Sequence, residues 1–568
     1  MRNENSRFSE NPVTLDIQRS TFNRSSTYKT SANIGELIPF YYDEVLPGDT
    51  FQVKTNKVVR LQPLVSAPMD NLYFDTYYFF VPNRLVWEHW EEFMGENKQG
   101  AWIPQTEYTI PQITSPASTG FEIGTIADYF GIPTGVPNLS VSALPFRAYA
   151  LIVDEWFRDQ NLQLPLNIPL DDTTLQGVNT GDYVTDTVKG GKPFVAAKYH
   201  DYFTSCLPSP QKGPDVTIAA VGDFPVYTGD PHNNNGSNKA LHYGISNISS
   251  GSVSFSQGNY IIPSVLTTGS TQSVPAQGKL NASNITMTTS PGSPDSSFGS
   301  KLSVYPDNLY ASSGTATTIN QLRMAFQIQK LYEKDARAGS RYRELIRSHF
   351  SVTPLDARMQ VPEYLGGNRI PININQVVQT SQTSDVSPQG NVAGQSLTSD
   401  SHGDFIKSFT EHGMLIGVAV ARYDHTYQQG VSKLWSRKTR FDYYWPVLAN
   451  IGEQAVLNKE IYAQGTAQDE EVFGYQEAWA EYRYKPSIVT GEMRSSARTS
   501  LDSWHFADDY NSLPKLSADW IKEDKTNIDR VLAVSSSVSN QYFADFYIEN
   551  ETTRALPFYS IPGLIDHH

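Results

Sequence analysis

The apolar and polar positions alternate most clearly at the two ends of the chain. From 49 to 65, Phe51, Val53, Thr55, Val59 and Leu61 recur at the two-residue period of a strand. From 71 to 82, Leu72, Phe74, Tyr78 and Phe80 lie on one face, with Tyr73, Tyr77, Phe79 and Val81 on the other. Apolar side chains on both faces predict a strand covered from both sides. Met414, Ile416, Val418 and Val420 alternate again, as do Tyr542, Ala544, Phe546 and Ile548. Strands are therefore expected from about 45 to 82, from 411 to 425 and from the last hundred residues. Pairing across such distances suits a Greek-key or jelly-roll barrel.

Helical spacing appears between these ends. Residues 142 to 160 place Tyr149, Ile152, Val153, Trp156 and Phe157 at the i, i+3, i+4, i+7, i+8 positions of a buried stripe. Ser142 is the expected N-cap and Pro145 sits in the first turn. Asn83 is expected to cap a short helix through Trp87, Trp90 and Phe93. From 318 to 350 two stripes follow one another, Ile319, Leu322, Phe326, Leu331 and Tyr332, then Tyr342, Leu345, Ile346 and Phe350. Gly339-Ser340 should break the helix between them. Its polar face carries Arg323, Lys330, Lys334, Arg337, Arg341, Arg343 and Arg347 against Glu333, Asp335 and Glu344. Such a face is usually solvated, with nucleic-acid contact the less frequent use.

Three segments depart from both periods. Residues 1 to 31 are polar and read as an extended arm. Residues 198 to 214 (KYHDYFTSCLPSPQKGP) join a strand-like aromatic run, Tyr199, Tyr202 and Phe203, to a stiff turn of Pro208, Pro210, Gly213 and Pro214. In the 70 residues from 231 to 300, 38 are Ser, Gly, Asn or Thr, and only Lys239, Lys279 and Asp295 are charged. Low charge with surviving β-formers predicts an ordered, turn-rich β insertion rather than a disordered linker.

Composition narrows the class. The 568 residues include 32 Tyr, 27 Phe, 9 Trp, 38 Gly and 34 Pro. That mixture fits an all-β protein with long elaborations. The net charge of −15 rules out a surface that coats nucleic acid throughout, since phosphate binding needs Lys and Arg. A single cysteine, Cys206, forbids an intrachain disulfide and fits a reducing compartment. The first 30 residues lack the apolar core of a signal peptide. The apolar run from Met414 to Ala421 is too short to span a bilayer.

Catalytic grammar is absent. There is no HExxH, GxSxG, GxxxxGK[ST] or GxGxxG. The adjacent His200 and Asp201 share no face. Asp508-Asp509 near His505, and Asp171-Asp172, read as capping or solvated carboxylates. No catalytic residue, metal ligand or cofactor is assigned.

Five segments carry a family resemblance: 198 to 214; NIGELIPFYYDEVLPGDTFQV at 34 to 54; LPFRAYALIVDEWFRDQNLQ at 144 to 163; RMQVPEYLGG at 358 to 367; and, within 470 to 510, GYQEAWAEYRYKP and LDSWHFADDY. Together they resemble the major capsid proteins of gokushoviruses, small icosahedral single-stranded DNA phages of the Microviridae. The resemblance implies a mainly β fold, one eight-stranded viral jelly roll with long loop insertions containing several helices. It implies a T=1 shell of sixty copies around circular single-stranded DNA, built in the host bacterial cytoplasm through pentamers. The implied partners are an internal scaffolding protein, a small basic DNA-packaging protein, a pilot protein and a host surface receptor, with a glycan as one candidate.

On this reading 1–31 is an interior arm, 32–225 and 306–568 form the jelly roll with its helical loops, and 226–305 is a surface protrusion at the threefold axes. Arg19, Arg24 and Lys29 are the candidates for contact with DNA or the packaging protein. Asn233, Asn234, Asn235 and Gly236 are the candidate receptor-binding tip, and Phe255, Tyr260, Ile261 and Ile262 the candidate threefold hub. Two other classes compete on composition. A β-rich carbohydrate-binding or carbohydrate-active protein should show paired carboxylates, and a phage adhesin should show internal repeats. Neither is legible.

Overall fold

The computed structural model describes residues 18–96, 106–214, 216, 226–228, 243–245, 304–306, 309–311, 319–338, 341–352, 360–383 and 388–559. It divides into two compact units, Met1–Lys212 with Glu333–His568, and Gly213–Tyr332. The larger unit is built on ten strands: β1 (Ser20–Asn23), β2 (Ser26–Ala32), β3 (Ile38–Val45), β4 (Thr50–Leu61), β5 (Leu72–Pro82), β6 (Glu363–Gly366), β7 (Arg369–Pro371), β8 (Thr398–Ser408), β9 (Gly413–Tyr423) and β10 (Tyr542–Arg554).

They form two antiparallel sheets. In the first, β10 lies between β4 and the broken edge β1/β2, and β8 closes the far side of β4. In the second the order is β3, β9, β5, with β6 and β7 sharing the last edge. The two halves of that edge are separated at Gly367, whose φ of +137° and closeness to the Thr76 carbonyl exclude a side chain. With each broken edge taken as one position, the sheets are four strands wide, and the chain crosses between them at every step except from β5 to the β6/β7 edge, which pair within the second sheet. This is a jelly roll, and the fold is mainly β.

The sheets pack face to face through aromatic rings. Phe40 of β3 stacks on Phe546 of β10 at 4.5 Å, and Phe74 of β5 meets Tyr542 edge-on at 5.7 Å. The first sheet has its other face in solvent, so β10 alternates buried and exposed residues. The second sheet is covered on both faces. Its outer side chains Phe79, Val81, Met414, Ile416, Val418 and Val420 share a second core with helix α1 (Leu144–Ile152). This is why the sequence around 71–82 and 413–423 carries apolar residues on both faces. One cation enters the sandwich, Lys57, whose side chain is fully buried. Its Nζ donates to Thr76 Oγ1 at 3.1 Å and to Asn368, and pairs with Asp400 at 3.2 Å. Burial pushes its pKa down despite these partners.

The helix from 142 to 160 is present with altered ends. Leu144 N–H donates to Ser142 Oγ at 3.3 Å, but the N-cap position is Ala143. Past Ile152 the chain loosens into a π turn, Val153–Phe157. At Asn83 the expectation fails. Asn83 begins a 3₁₀ turn, makes no side-chain cap, and the α-helical turn starts only at Trp90. The strand-like run Tyr199–Phe203 is also absent. Asp201 Oδ1 accepts the N–H groups of Phe203 and Thr204, folding the segment into a turn. The extended segment of 1–31 is, from Ser20 on, built into the first sheet.

The long helical region divides as expected, into α2 (Ile319–Ala338) and α3 (Tyr342–Phe350). Its predicted apolar stripe is not buried, however: Phe326, Leu331 and Phe350 are exposed. The smaller unit contains two antiparallel strand pairs, Val226–Thr228 with Leu309–Ala311 and Tyr243–Ile245 with Val304–Pro306. The insertion thus leaves and returns on paired strands.

Candidate assembly surface

Among the described residues, the connection from Asp424 to Gln541 carries the largest concentration of exposed aromatic side chains. Three single 3₁₀ turns, Lys433–Ser436, Arg440–Asp442 and Pro446–Leu448, follow one another. The local sequence sets each stop. Asp442 Oδ2 accepts the N–H groups of Lys438 and Thr439 at 2.8 and 2.7 Å, which lowers its pKa. Trp445 precedes a proline and is held extended.

The loop is pinned from behind. Arg437, 6% exposed, lies over the rings of Tyr443 and Tyr482 at 5.1 and 4.5 Å and pairs with Glu481 at 3.2 Å. Trp479 is buried, donates from Nε1 to Leu448 O at 2.8 Å, and takes Tyr444 edge-on at 5.8 Å. Its φ of +66° is a left-handed conformation that a bulky residue adopts only when surrounding contacts impose it. Trp445 Nε1 donates to Arg440 O at 2.9 Å. Large apolar side chains point outward: Trp435 is 79% and Val447 92% exposed, with Leu434, Phe441 and Ile451 also in solvent, beside the exposed Lys438, Thr439, Arg440 and Asp442. Rigid Trp, Tyr and Arg groups presented together are the composition of a protein–protein interface, and monomers rarely expose so much apolar surface in one stretch.

The same connection carries a buried charged cluster. His425 Nδ1 is 2.9 Å from Asp508 Oδ1 and its Nε2 is 2.9 Å from Glu523 Oε1. Lys198 Nζ reaches Asp508 Oδ2 at 3.4 Å, and Tyr510 and Asn527 donate to the same carboxylate at 2.7 Å each. Burial alone would discharge His425, but Asp508 and Glu523 outweigh it and push its pKa up to about 9. Burial likewise opposes the Asp508 charge, and Lys198 and His425 outweigh that, lowering its pKa. The cluster ties the 198–204 turn, the end of β9 and the 505–525 segment together. Asp508 is therefore not a solvated or capping carboxylate, as its sequence context predicts. Asp171 does cap, accepting the Thr173 N–H at 3.1 Å, and Asp172 accepts from Trp87 Nε1 at 2.7 Å.

The predicted site residues are distributed as follows. Arg19 donates to Gly48 O at 3.0 Å. Arg24 grips Asp43 with both nitrogens at 2.6 and 2.7 Å; burial opposes its charge, and Asp43 outweighs that and raises its pKa. Lys29 stays exposed and pairs with Asp545 at 3.4 Å. Asn233, Asn234, Asn235, Gly236, Phe255, Tyr260, Ile261 and Ile262 lie outside the described residues. On the basic helical face, Arg337 pairs with Glu453 and Glu477, and Arg341 with Glu155 at 2.8 Å. Sequence reasoning missed both the aromatic loop and the buried cluster. The WSRKTRFDYYWPVL run at 435–448 was the available signal for the first. The second had none, because its members are far apart in the chain. Among the described residues no group of side chains could hold a metal ion, and no helix is long and apolar enough to cross a membrane.

Comparison with known proteins gives the family. The profile of the family described as "Capsid protein (F protein)" matches residues 11–564. The chain is similar to capsid protein VP1 of Spiroplasma virus 4, 43% identical over 94% of this chain and 93% of the relative. It is similar also to capsid protein VP1 of Chlamydia phage 1, 42% identical over 98% and 97%. VP1 of Bdellovibrio phage phiMH2K is 42% identical over 96% and 95%.

Proposed function

Because the chain belongs to the phage capsid protein (F protein) family, we propose that sixty copies of it close into a T=1 icosahedral shell around circular single-stranded DNA, through pentameric intermediates. Its role as a structural capsid subunit in a multi-copy virion shell follows from the family. The aromatic loop from Leu434 to Ile451 carries the further reading. It is held in shape before any partner arrives, so little ordering entropy is lost on docking, and the occupant of such a surface in a shell is a neighbouring subunit.

The interior reading places the 1–31 segment near the genome, with Arg19, Arg24 and Lys29 as its cations. Arg24 is already engaged by Asp43, so the contribution of Arg19 and Lys29 is the greater. With these few cations in a chain of net charge −15, a separate small basic protein must neutralise most phosphates. An internal scaffolding protein and a pilot protein complete the proposed set, with assembly in the host cytoplasm. The insertion is proposed as the outward protrusion that meets a host receptor, a glycan among the candidates; its exit and return on paired strands support a self-contained projection.

Electron microscopy of purified material tests the shell, the expected result being closed particles of uniform size. A dispersed monomer under assembly conditions overturns it. Protease added to filled particles should leave the first 25 or so residues intact; their removal places the segment outside. Replacing 231–300 by a short Gly/Ser bridge should leave assembly intact and abolish adsorption to cells. Particles that still adsorb refute the receptor role.

A further inference from the structure

A cavity of about 350 Å³ opens on the outer side of the second sheet, walled by Tyr77, Phe79, Trp156, Phe157 and Tyr364. The rings hold one another. Phe79 lies 5.4 Å from Trp156 and 5.7 Å from Tyr364, and Tyr77 meets Phe157 edge-on at 5.3 Å. Trp156 is fixed by its Nε1 donating to Pro362 O at 3.0 Å, and Tyr364 by its place opposite Phe79 in the sheet. Yet Trp156 is 49% and Tyr364 43% exposed. Two rigid rings with open faces stand at the mouth of a pocket whose other rings are largely buried.

The opposite wall is polar. Arg158, Asp159 and His200 also line a second cavity of about 780 Å³, which continues past Gln160, Glu344 and Arg347. Its charges are interlocked. Arg158 pairs with Asp154 at 2.7 Å, Gln160 donates to Glu344 at 3.2 Å, and Arg337 pairs with Glu453 and Glu477. At the pocket itself the cations are Arg158, Lys198 and Arg422, each already paired, with Asp154, Asp508 and Asp75, and Asp159 adds a fourth carboxylate, so the wall has no excess of positive charge. A phosphate would meet cations already matched by carboxylates, which disfavours an anionic ligand. A guanidinium has five N–H donors and a carboxylate about four acceptor sites, so groups paired with each other still have capacity for hydroxyls.

Stacking faces on one side and a neutral lattice of planar donors and acceptors on the other suit one ligand chemistry: a ring with an apolar C–H face and a rim of hydroxyls. We propose that this pocket binds a neutral glycan, with a pyranose ring stacked on Trp156 and Tyr364 and its hydroxyls directed to Arg158, Asp159 and His200. The site is lined by residues of the jelly-roll unit and does not depend on whether the chain assembles into shells.

The full chain is titrated with methyl β-glucopyranoside, methyl β-galactopyranoside and N-acetylglucosamine, read by saturation-transfer NMR and tryptophan fluorescence. Saturable binding of at least one sugar in the millimolar range is expected, weakened roughly tenfold or more in Trp156→Ala. His200 is exposed, so His200→Ala tests the polar wall without disturbing the core; it should weaken binding several-fold at an unchanged melting temperature. A dT oligonucleotide serves as the anionic control. Three sugars with no saturation up to about 50 mM overturn the proposal. So does sugar binding unaffected by both variants, or an oligonucleotide that binds in place of the sugars and is lost in Trp156→Ala.

Discussion

The jelly-roll interior and the loop from Leu434 to Ile451 are built from the same kinds of residue and end in opposite environments. Phe40, Phe74, Tyr542 and Phe546 are buried to a few per cent or less between the sheets. Trp435, Phe441 and Val447 are held just as firmly by their backbone, yet point into solvent. The difference teaches that local order and burial are separate properties. A strand orders its side chains by burying them against the facing sheet. The loop orders its side chains through caps, an arginine stacked between tyrosines and a strained Trp479, leaving the apolar faces for another surface.

The comparison breaks first, and most severely, on the core side. Phe546→Ala should destabilise the subunit by about 3–5 kcal/mol, since it removes a ring stacked across the two sheets. Chemical denaturation of the unassembled subunit measures this, and assembly should fail with folding. A loss under about 1 kcal/mol would show that the sheets do not depend on this contact.

His425 comes next, because it holds Asp508 and Glu523 of the same connection together. His425→Gln leaves Asp508 and Glu523 facing a neutral side chain, and removing one partner of a buried ion cluster costs about 3 kcal/mol or more. The pH profile carries the sign. The folded pKa of His425 is raised above its usual value of 6.5, so its contribution is full below about pH 6.5 and is lost as the pH climbs through about 9. The Asp508 pKa is lowered, so its contribution is present above the usual carboxylate value and is lost as the pH falls below that. Melting temperature should therefore peak on the mildly acidic side of neutrality, and the alkaline limb should vanish in His425→Gln. An unchanged alkaline limb would show that His425 is not charged in the fold.

On the loop side the effect should move from folding to association. Trp435→Ala should leave subunit stability within about 0.5 kcal/mol while weakening subunit association by about 2 kcal/mol, as a buried aromatic anchor does. Sedimentation of assembly reactions against denaturation of the unassembled subunit separates the two. Equal yields of particles would remove Trp435 from the interface. The smallest effect belongs to Arg437→Lys, which keeps the charge and loses the planar stack on Tyr443 and Tyr482. About 1 kcal/mol in association, or roughly a fivefold shift in the assembly threshold, is expected. If Arg437→Lys were the more damaging of the two, the loop's shape rather than its exposed anchors would control docking.

Much of the fold was legible in the chain. β5, β9 and β10 announce themselves, because a strand buried on one face alternates and a strand buried on both does not. The helix α1 was legible from its stripe, and the division into α2 and α3 from Gly339-Ser340, which lie outside the described residues. Three strands of the first sheet were not. β8, Thr398–Ser408, is a polar edge strand whose one buried apolar residue is Phe405, and β1, Ser20–Asn23, and β2, Ser26–Ala32, are mostly polar. All three acquire strand geometry from partners far away in sequence: β2 pairs with β10, as in Ser26 opposite Ile548.

By itself the sequence determined the class of fold, the family, the absence of catalytic motifs and the positions where apolar side chains must be hidden, since periodicity and motif are local and survive without a partner. The tertiary structure alone decided which aromatic residues form the core and which form the contact surface. It also decided that Asp508 is buried with Lys198, His425 and Glu523, and that Trp156 and Tyr364 share one pocket. Each of these joins residues separated by scores to hundreds of positions, and nothing in local spacing records which distant segments the closing of two sheets will bring into contact.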